Sequence, residues 1–518
     1  MSKNLYLGID ASTQSMSGIV INIDNPSEIT SASINFEKNF PKYKTSSGVV
    51  VNPENKNEVW SYPQMWIEAL DMLIAELSTK VNLAEIRAIC GAGQQHATVY
   101  LKSPEVFSNL QTAQKGKLAE ALSNAYATER APIWMDCSTL QECAEIENAV
   151  GADYILQKTG SLQTERFSGA QIRKIFKTQP DVYKTTNRVH LNSSFICSVL
   201  CNNDAPIDYG DASGMNLLDL HSFSWDKSLL DATAPELISK LPALAKPQTL
   251  AGNIGEYFCK SYGFSPDAKV FVFSGDNPSS LVGSGASGVG KCVISLGTSD
   301  TLFCANANCV PVAGAHIFGN PSGKYMNLAC FRNGSLARES LIKELSISWK
   351  EFDNSFENYT PDESQKVMLP FYVDEITPKL KSSHPKCDNC NFSELEKIEA
   401  VRMFIEGQFF NLKMQANALN AKIDDILLTG GASKSMAMAQ CASNIFNCNV
   451  FVATKQDNSS ALGGALQAAT ADSQIELSVL QERFCNRKLV AKPNTEAVKI
   501  YKNKFLFFEK FIKSNIGL

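Results

Sequence analysis

The chain contains 518 residues, and its shares of hydrophobic residues (44%) and charged residues (19%) are those of an ordinary globular protein, which excludes disorder as the main state. Lys and Arg total 48 against 53 Asp and Glu, a formal net charge of -5. We therefore expect no nucleic-acid partner, because binding a phosphate backbone requires an excess of positive charge. The length predicts roughly two to four domains.

Signals for export or membrane insertion are weak. The N-terminal MSKNLYLGIDAST lacks the apolar core of a signal peptide, and no run approaches the roughly 18 apolar residues of a membrane-spanning helix. The 15 cysteines lie mostly in apolar segments such as IRAIC and SFICSVLC, which is typical of buried thiols in a reducing compartment. We expect a cytoplasmic protein with no membrane partner, and the sequence leaves open whether it is a monomer or a homodimer.

The first predicted elements form a hairpin that occurs again in the second half of the chain. LYLGIDASTQSMSGIVIN at 5–22 and CVISLGTSDTLFCAN at 292–306 each contain an apolar run ending in Leu-Gly, a polar tip rich in Ser, Thr and Asp, and a second apolar run. This pattern predicts two strands joined by a polar turn.

A helix followed by a strand that ends in glycine also occurs twice. The two strands lie in the segments EIRAICGAG and DDILLTGGAS. The apolar residues that keep the helical period are Tyr62, Trp66, Leu70, Leu73 and Leu77, then Ile398, Ile405, Phe409, Leu412 and Leu419. The predicted fold class is α/β, with lobes over residues 1–266 and 267–518, divided where GFSPDAK precedes the strand VFVFSG. Two facing lobes would bring both hairpin tips to one cleft, where ligands of such sheets bind.

The last predicted element is an amphipathic helix. Its apolar positions, which fall on one face, are Val498, Tyr501, Phe505, Phe508 and Ile512. We expect this helix to pack on the second lobe.

The first hairpin tip, from Gly8 to Thr13, offers backbone N–H groups and hydroxyls that suit phosphate oxygens. The carboxylate of Asp10 would repel a bare phosphate, so its presence favours a Mg²⁺ ion between it and a nucleotide. Taken alone, the segment is typical of an ordinary Asx-turn. The matching tip from Gly297 to Thr301 favours a ligand held by both.

The segment SGDNPSS places Asp276 at the carboxyl end of the strand KVFVF. Two compatible roles follow: N-cap of the next helix, with Pro278 near its first position, and general base for a hydroxyl that attacks phosphorus. GAGQQH likewise ends a strand and presents two amides and the imidazole of His96, which are groups suited to a polyol.

The run GSGASG at 283–288 matches the letters of a dinucleotide fingerprint. That fingerprint requires a strand before it and a helix after it. Here the sequence predicts a helix before and the strand KCVISLG after. We therefore predict a flexible connection at this point and no dinucleotide site.

Together these segments resemble the FGGY carbohydrate kinases, and within that family the xylulokinases of eukaryotic type. The resemblance extends over nearly the whole chain through LGIDASTQS, GQQH, PIWMDCST, GSLQTERFSGAQI, PIDYGDASGMNLLD, FSGDNPSSL, ISLGTSDTLF, CFRNGSLARE, EITP, IEGQF and LLTGGAS. It implies an actin-like (ribonuclease H-like) fold of two lobes, with ATP and Mg²⁺ in an interlobe catalytic cleft. The implied activity is transfer of the γ-phosphoryl group of ATP to the 5-hydroxyl of D-xylulose.

The same resemblance implies a role for each site residue. Asp276 is expected to be the catalytic base and a substrate contact, beside the sugar contacts His96, Arg166 and Asn277, and Asp10 is expected to hold Mg²⁺. The implied ATP contacts are Thr13, Thr298, Trp349, Gly430, Gly431, Ala432 and Ser435, the last standing where the family pattern has Asn. The first lobe would then bind the sugar and the second the nucleotide.

Three other interpretations remain open. A related kinase acting on ribulose or glycerol has the same architecture, because one fold hosts several sugars. An actin-like ATPase without a small-molecule acceptor is disfavoured by GQQH and TERFSG, which supply amides, an imidazole and a guanidinium for an acceptor. A sugar-binding regulator without kinase activity is disfavoured by the presence of both Asp10 and Asp276.

Overall fold

The computed structural model describes residues 4–356, 361–454 and 458–516. The chain forms two compact units, and each is built from three segments. Unit 1 comprises Met1–Gly285, Phe318–Lys324 and Gln456–Cys485, and unit 2 comprises Ala286–Ile317, Tyr325–Lys455 and Asn486–Leu518. The assignment of sugar binding to residues 1–266 and of nucleotide binding to residues 267–518 stays a prediction.

Each unit is built around a seven-stranded sheet. The strands of the unit 1 sheet are β1 (Leu5–Ala11), β2 (Ser15–Asn22), β3 (Ile29–Asn35), β4 (Ile86–Gly93), β5 (Leu250–Asn253), β6 (Lys269–Phe271) and β7 (Ser274–Gly275). Those of the other sheet are β8 (Gly290–Leu296), β9 (Asp300–Asn306), β10 (Ala315–Gly319), β11 (Tyr325–Phe331), β12 (Ile423–Thr429), β13 (Asn449–Ala453) and β14 (Arg487–Ala491).

Seven helices carry the site or pack on the two sheets: α1 (Pro63–Ser78), α2 (Asp276–Gly283), α3 (Ser335–Leu345), α4 (Lys397–Ala418), α5 (Met436–Phe446), α6 (Ser459–Ser473) and α7 (Thr495–Ile516). The other α-helices are Phe36–Asn39, Leu118–Ala121, Leu140–Val150, Ala152–Thr159, Ser168–Thr178, Pro180–Thr185, Asn192–Cys201, Tyr209–Ala212, Lys227–Thr233, Leu237–Lys240, Glu256–Tyr262, Trp349–Asn354 and Leu477–Phe484. Short strands are Val50–Val51, Val59–Ser61, Thr98–Leu101, Ala131–Pro132, Arg188–Leu191, Ile207–Asp208, Leu218–Asp219, Ser224–Trp225, Leu244–Ala245, Val367–Leu369, Glu375–Ile376, Lys379–Leu380 and Lys386–Asp388.

The two large sheets share one topology. In unit 1 the order is β5-β6-β4-β1-β2-β3, with β7 also on β4, and in unit 2 it is β10-β11-β9-β8-β12-β13-β14. In each unit three neighbouring strands pair antiparallel, β1-β2-β3 in one and β8-β9-β11 in the other. The first strand of each hairpin also pairs parallel with the strand that ends in glycine, β1 with β4 and β8 with β12. The duplicated hairpin and strand predicted from the sequence are therefore confirmed.

Glycines let helix α6 lie directly on the sheet of unit 1. A Cβ atom at Gly8 on β1 would stand 1.8 Å from the carbonyl oxygen of Ala461, and one at Gly464 would stand 2.8 Å from the Cα atom of Gly91. Helices α2 and α6 also meet at glycine, because a Cβ at Gly463 would lie 1.9 Å from the carbonyl oxygen of Ser279. These contacts fix the N-termini of α2 and α6 at the carboxyl end of β1.

The core of unit 2 is closed by α4, α5 and the C-terminal helix α7. Tyr501, Phe505, Phe508 and Ile512 are buried in that core, which confirms the predicted apolar face of α7. The prediction that Ile398 belongs to the apolar face of α4 is wrong. This residue is 54% exposed, because it lies in the first turn, before the helix reaches the core.

The segment GSGASG connects the end of α2 to the start of β8, as predicted. Among the described residues, no helix has both the length and the apolar character needed to cross a membrane.

Candidate functional site

Asp10 lies at the end of β1 in unit 1 and is 2% exposed. One carboxylate oxygen, Oδ2, accepts hydrogen bonds from the Ser12 hydroxyl and, at 2.8 Å, from Nδ2 of Asn458. The other oxygen, Oδ1, is buried without a hydrogen-bond partner within the described part of the chain. Burial raises the pKa of Asp10, and the bonds from Ser12 and Asn458 oppose that shift.

These features fit a magnesium ligand. A carboxylate with one oxygen anchored and the other unpartnered supplies the hard oxygen donor that Mg²⁺ prefers, and a cation would offset the cost of burying the charge. Asp10 could therefore serve as one ligand of such an ion, although the described residues contain no cluster of three or more His, Cys, Asp or Glu that could hold a metal.

Asp276 is the first residue of α2, and the N-cap of this helix is Gly275. The predicted capping role of Asp276 is therefore wrong; its side chain instead accepts bonds at 2.8 and 3.0 Å from the backbone and side-chain nitrogens of Asn277. Burial and then the negative charge of Asp10 raise the pKa of Asp276 to about 7, and bonds from the backbone of Asn277 and Gln95 work in the opposite direction. A carboxylate with this pKa can take up a proton near neutral pH.

Polar side chains from the segment after β4 and from α6 lie near Asp276. Nδ2 of Asn277 donates to Oε1 of Gln95 at 2.8 Å, and the Ser460 hydroxyl donates to the Asp276 carbonyl at 3.1 Å. The Nε2 atoms of Gln94 and Gln95 are buried without a partner in the described residues. Unpaired buried amides next to a carboxylate are suited to hydroxyl groups of a ligand.

His96 is buried, has a left-handed backbone (φ 69°) and places Nδ1 2.8 Å from the carbonyl oxygen of Gly214. Because a carbonyl only accepts, Nδ1 carries a proton. The imidazole packs on Phe167 with ring centroids 4.8 Å apart, and the Arg166 guanidinium lies 5.9 Å from the same phenyl centroid. The structure thus brings His96 and Arg166 to one aromatic side chain.

Thr13 is in unit 1, at the turn that follows Asp10. Its hydroxyl accepts a 2.9 Å hydrogen bond from Nε1 of Trp134 and lies 3.4 Å from Oε1 of Gln94. Trp134 is 44% exposed, so an indole forms part of the surface next to this turn.

Unit 2 contains a cavity of about 570 Å³. Five of the predicted ATP contacts line it: Thr298, Trp349, Gly431, Ala432 and Ser435. The sixth residue predicted in this unit, Gly430, directly precedes Gly431 and has a left-handed φ of 83°. A cavity of this size falls within the roughly 300 to 1,000 Å³ of small-molecule sites.

The cavity has an apolar side and a polar side. Trp349 is 48% exposed and packs edge-on against Phe352, with centroids 5.4 Å apart, and Met438 completes this part of the wall. The polar side is formed by Gly297, Thr298 and Ser335, whose backbone and hydroxyl groups suit anionic oxygens. Ser435 also caps α5, because its hydroxyl accepts from the Met438 N–H at 3.3 Å.

A buried ion pair lies behind the Gly297–Thr298 turn. Arg338 on α3 donates from Nη1 and Nη2 to the two carboxylate oxygens of Asp300, both at 2.9 Å, and also to Oε1 of Gln408 at 3.0 Å. Burial raises the pKa of Asp300, and the charge of Arg338 opposes that shift. The pair therefore ties α3 to the strand that follows the turn.

A backbone bond fixes the turn itself. The Ser335 N–H donates to the Gly297 carbonyl at 2.8 Å, so the first turn of α3 is joined to the end of β8 without use of a side chain. Together the backbone bond and the ion pair hold the turn in place and leave the Thr298 hydroxyl at the wall of the cavity.

The predicted residues thus form two groups. Asp10, Thr13, His96, Arg166, Asp276 and Asn277 belong to unit 1, and Thr298, Trp349, Gly430, Gly431, Ala432 and Ser435 belong to unit 2. Gln95 was expected near the acceptor as one of the two amides of GQQH. Asn458 and Trp134 were not assigned to the site from the sequence, although Trp134 lies inside PIWMDCST, one of the segments that carry the resemblance.

Comparisons with known proteins identify the family of the chain. Residues 5–283 match the N-terminal domain of the FGGY family of carbohydrate kinases, and residues 292–471 match its C-terminal domain. Xylulose kinase 2 of Arabidopsis thaliana is 38% identical over 488 residues, which cover 90% of this chain and 87% of that protein. The xylulose kinase of Rattus norvegicus is 34% identical over 507 residues, with coverage of 96% and 94%.

Solved structures show the same fold at low identity. A xylulose kinase from Rhodospirillum rubrum aligns with a TM-score of 0.81 at 16% identity and covers 99% of both chains. A glycerol kinase from Plasmodium falciparum with ADP aligns with a TM-score of 0.76 at 17% identity and covers 99% of this chain and 98% of its own. The predicted actin-like (ribonuclease H-like) α/β fold with two lobes is confirmed.

Proposed function

The chain belongs to the FGGY family of carbohydrate kinases, and we propose that it uses Mg²⁺ and ATP to phosphorylate D-xylulose at its 5-hydroxyl. The observation that carries the proposal is the pairing of Asp276, whose pKa is about 7, with the buried Asp10 in the same unit. The xylulose kinases that are 38% and 34% identical to the chain support the choice of acceptor.

Asp276 acts as the general base. Its carboxylate accepts the proton of the 5-hydroxyl as the new bond forms between that oxygen and the γ-phosphorus, while the bond from the γ-phosphorus to the bridging oxygen breaks and ADP leaves. Phosphoryl transfer needs positioning and charge neutralisation more than covalent help from the protein. A base with a pKa near the working pH is the most effective for this proton transfer.

The sugar is held by neutral and cationic groups of unit 1. His96, oriented by the Gly214 carbonyl, and Arg166, beside Phe167, bind hydroxyl and carbonyl oxygens of the ketose. Asn277, held by Gln95, orients the hydroxyl that faces Asp276. A site with several polar groups in fixed positions discriminates against acceptors that leave one of them unpaired.

Asp10 would hold the magnesium ion, and Ser12 and Asn458 keep its carboxylate in place and leave Oδ1 without a hydrogen-bond partner in the described residues. When bound, Mg²⁺ neutralises phosphate charge. The Thr13 hydroxyl is available for a phosphate oxygen.

The nucleotide occupies the cavity of unit 2. Trp349 and Met438 contact the adenosine, Gly430, Gly431 and Ala432 approach it with backbone, and Thr298 binds a phosphate. Ser435 acts through its cap of α5, which is a role that Ser and Asn fill equally well. We propose on this basis that residues 1–266, together with Asp276 and Asn277, bind the sugar and that the rest of the site residues within 267–518 bind the nucleotide.

We also place the enzyme in the cytoplasm, as a monomer or homodimer without nucleic-acid or membrane partners. All 15 cysteines are free thiols, which supports a reducing compartment.

A coupled assay of ADP release over D-xylulose, D-ribulose and glycerol tests the proposal. D-Xylulose should give the highest kcat/KM, D-ribulose a lower one, and glycerol the lowest, because a triol cannot engage His96, Arg166 and Asn277 together. A higher kcat/KM for ribulose or glycerol would make the chain a different FGGY kinase. ADP release that is independent of any acceptor would favour an actin-like ATPase, and absence of turnover with sugar binding retained would favour a regulator.

A further inference from the structure

Unit 1 contains a cavity of about 600 Å³. None of the site residues named above forms part of its wall. Three tyrosines, Tyr43, Tyr62 and Tyr126, form much of its wall, and polar side chains complete it. Its volume is that of a small-molecule site. The cavity therefore has room for a ligand of its own.

The charges on the wall balance. The ammonium group of Lys42 is paired with Glu68 at 2.7 Å, and the Tyr43 hydroxyl donates to the same carboxylate at 2.8 Å. Lys44 and Glu129 are both exposed, and neither has an ion-pair partner among the described residues. A wall on which the remaining cation and anion are equal in number disfavours a multiply charged ligand such as a nucleotide or a sugar phosphate.

The rest of the wall is aromatic and incompletely hydrogen-bonded. The rings of Tyr43 and Tyr62 are 5.2 Å apart and tilted by 36°. Nε2 of Gln64 donates to the Ala119 carbonyl at 2.5 Å, but Oε1 of Gln64 and the hydroxyl of the 6% exposed Tyr126 are buried without partners in the described ranges. Such groups cost free energy until water or a ligand satisfies them.

From this combination we propose that the cavity is a second, non-catalytic site for a neutral sugar or polyol. Carbon-bound hydrogens of such a molecule pack on the tyrosine rings. Its hydroxyls both donate and accept, so one ligand can donate to Glu129 and accept from Lys44. A purely apolar ligand would leave those groups unpaired.

Two segments lead from this cavity to the Thr13 turn. Lys44 is four residues before Gly48, where a Cβ atom would stand 2.1 Å from the Thr13 carbonyl oxygen. Glu129 is five residues before Trp134, whose indole donates to the Thr13 hydroxyl at 2.9 Å. A ligand that bridges Lys44 and Glu129 therefore ties together the two segments that contact Thr13.

The first of these segments is held in a strained backbone. Lys44 and Ser47 have φ angles of 52° and 53°, in the left-handed region that disfavours side chains with a Cβ. Strain of this kind is commonly found at ligand sites. Ordering the segment in advance lowers the entropy cost of binding at Thr13, so the polyol should lower the KM for Mg·ATP, a consequence that rests on the proposed function.

Calorimetric titration of the full chain with xylitol tests the site directly. We expect saturable binding that Glu129→Gln weakens about tenfold or more, since a hydrogen bond to a charged group is lost. Tyr62→Leu, which removes one ring, should weaken it too. Glu105→Gln, an exposed acid outside the cavity, is the matched control and should bind as the wild type does.

Amide hydrogen exchange supplies a second measurement. Xylitol should slow exchange at residues 44–49 and 133–136 in the wild type and leave it unchanged in Glu129→Gln. Absence of binding, equal binding in the Glu129 and Glu105 variants, or preferential binding of inorganic phosphate would overturn the proposal. Neither measurement requires turnover, so failure of the kinase assay would leave this site standing, and failure here would leave the kinase proposal standing.

Discussion

Asn458 donates a 2.8 Å hydrogen bond to Oδ2 of Asp10, although 448 positions separate the two residues in the sequence. The same side chain caps α6, where its Oδ1 accepts from the Ala461 N–H at 2.9 Å. One amide therefore fixes both the start of a helix and the carboxylate that we propose holds Mg²⁺.

Replacing Asn458 by Ser should separate these two roles. Serine keeps the helix cap but is too short to reach Asp10, so stability should change little while the Mg²⁺ concentration for half-maximal activity rises several-fold. Asn35→Ser, at a cap of a different helix of unit 1, is the control. Superimposable Mg²⁺ titrations of the Asn458 and Asn35 variants would remove Asn458 from the metal site.

Asp276→Asn should lower kcat by about 10² to 10⁴-fold, the usual contribution of a general base. The amide keeps the size of the side chain but cannot take the proton of the attacking hydroxyl. Circular dichroism should show an unchanged fold. Retention of more than about a tenth of the wild-type kcat would show that another group is the base.

The pH dependence of stability follows from the same residue. Burial and the charge of Asp10 raise the pKa of Asp276 from 3.8 to about 7, so between these two pH values the native state binds a proton that the unfolded state has released. The contribution of Asp276 to the stability of the native state is therefore fully present below about pH 4, and it is lost as the pH rises through 7. Asp276→Asn should have a higher Tm than the wild type at about pH 8 and a much smaller advantage at about pH 4, measured by calorimetry. An equal difference at both pH values would contradict the shift.

Much of the fold was predictable because it depends on local patterns. The Leu-Gly hairpins and the apolar face of α7 follow from residues that are close in sequence, and both are confirmed. The position of Asp276 at the end of a strand was visible in the same way. The residue that caps α2 could not be predicted, because the choice between Gly275 and Asp276 depends on backbone angles.

The rest depends on contacts between distant segments. Asn458 reaches Asp10 only because Gly8 and Gly464 allow α6 to lie on the sheet. The bond from Trp134 to Thr13 likewise joins segments 121 positions apart. Local periodicity contains no information about such pairs, and for the same reason it did not indicate the cavity lined by the three tyrosines.

The buried ion pair of unit 2 gives a prediction about stability. Arg338→Met should destabilise the protein by about 3 to 5 kcal/mol, because it leaves Asp300 buried without its partner. The double variant Arg338→Met with Asp300→Asn should recover part of that loss, since no charge is left unpaired. Urea unfolding of the two variants is the measurement, and equal destabilisation in both would show that the cost comes from packing alone.

Identification of the product tests the central claim most directly. The wild-type protein is incubated with Mg²⁺, ATP and D-xylulose, and the product is examined by phosphorus NMR with proton coupling. We predict one phosphate monoester, coupled to the two hydrogens of C5 and formed in a one-to-one ratio with ADP. A phosphate at another carbon, or ADP formed without any sugar ester, would contradict the account.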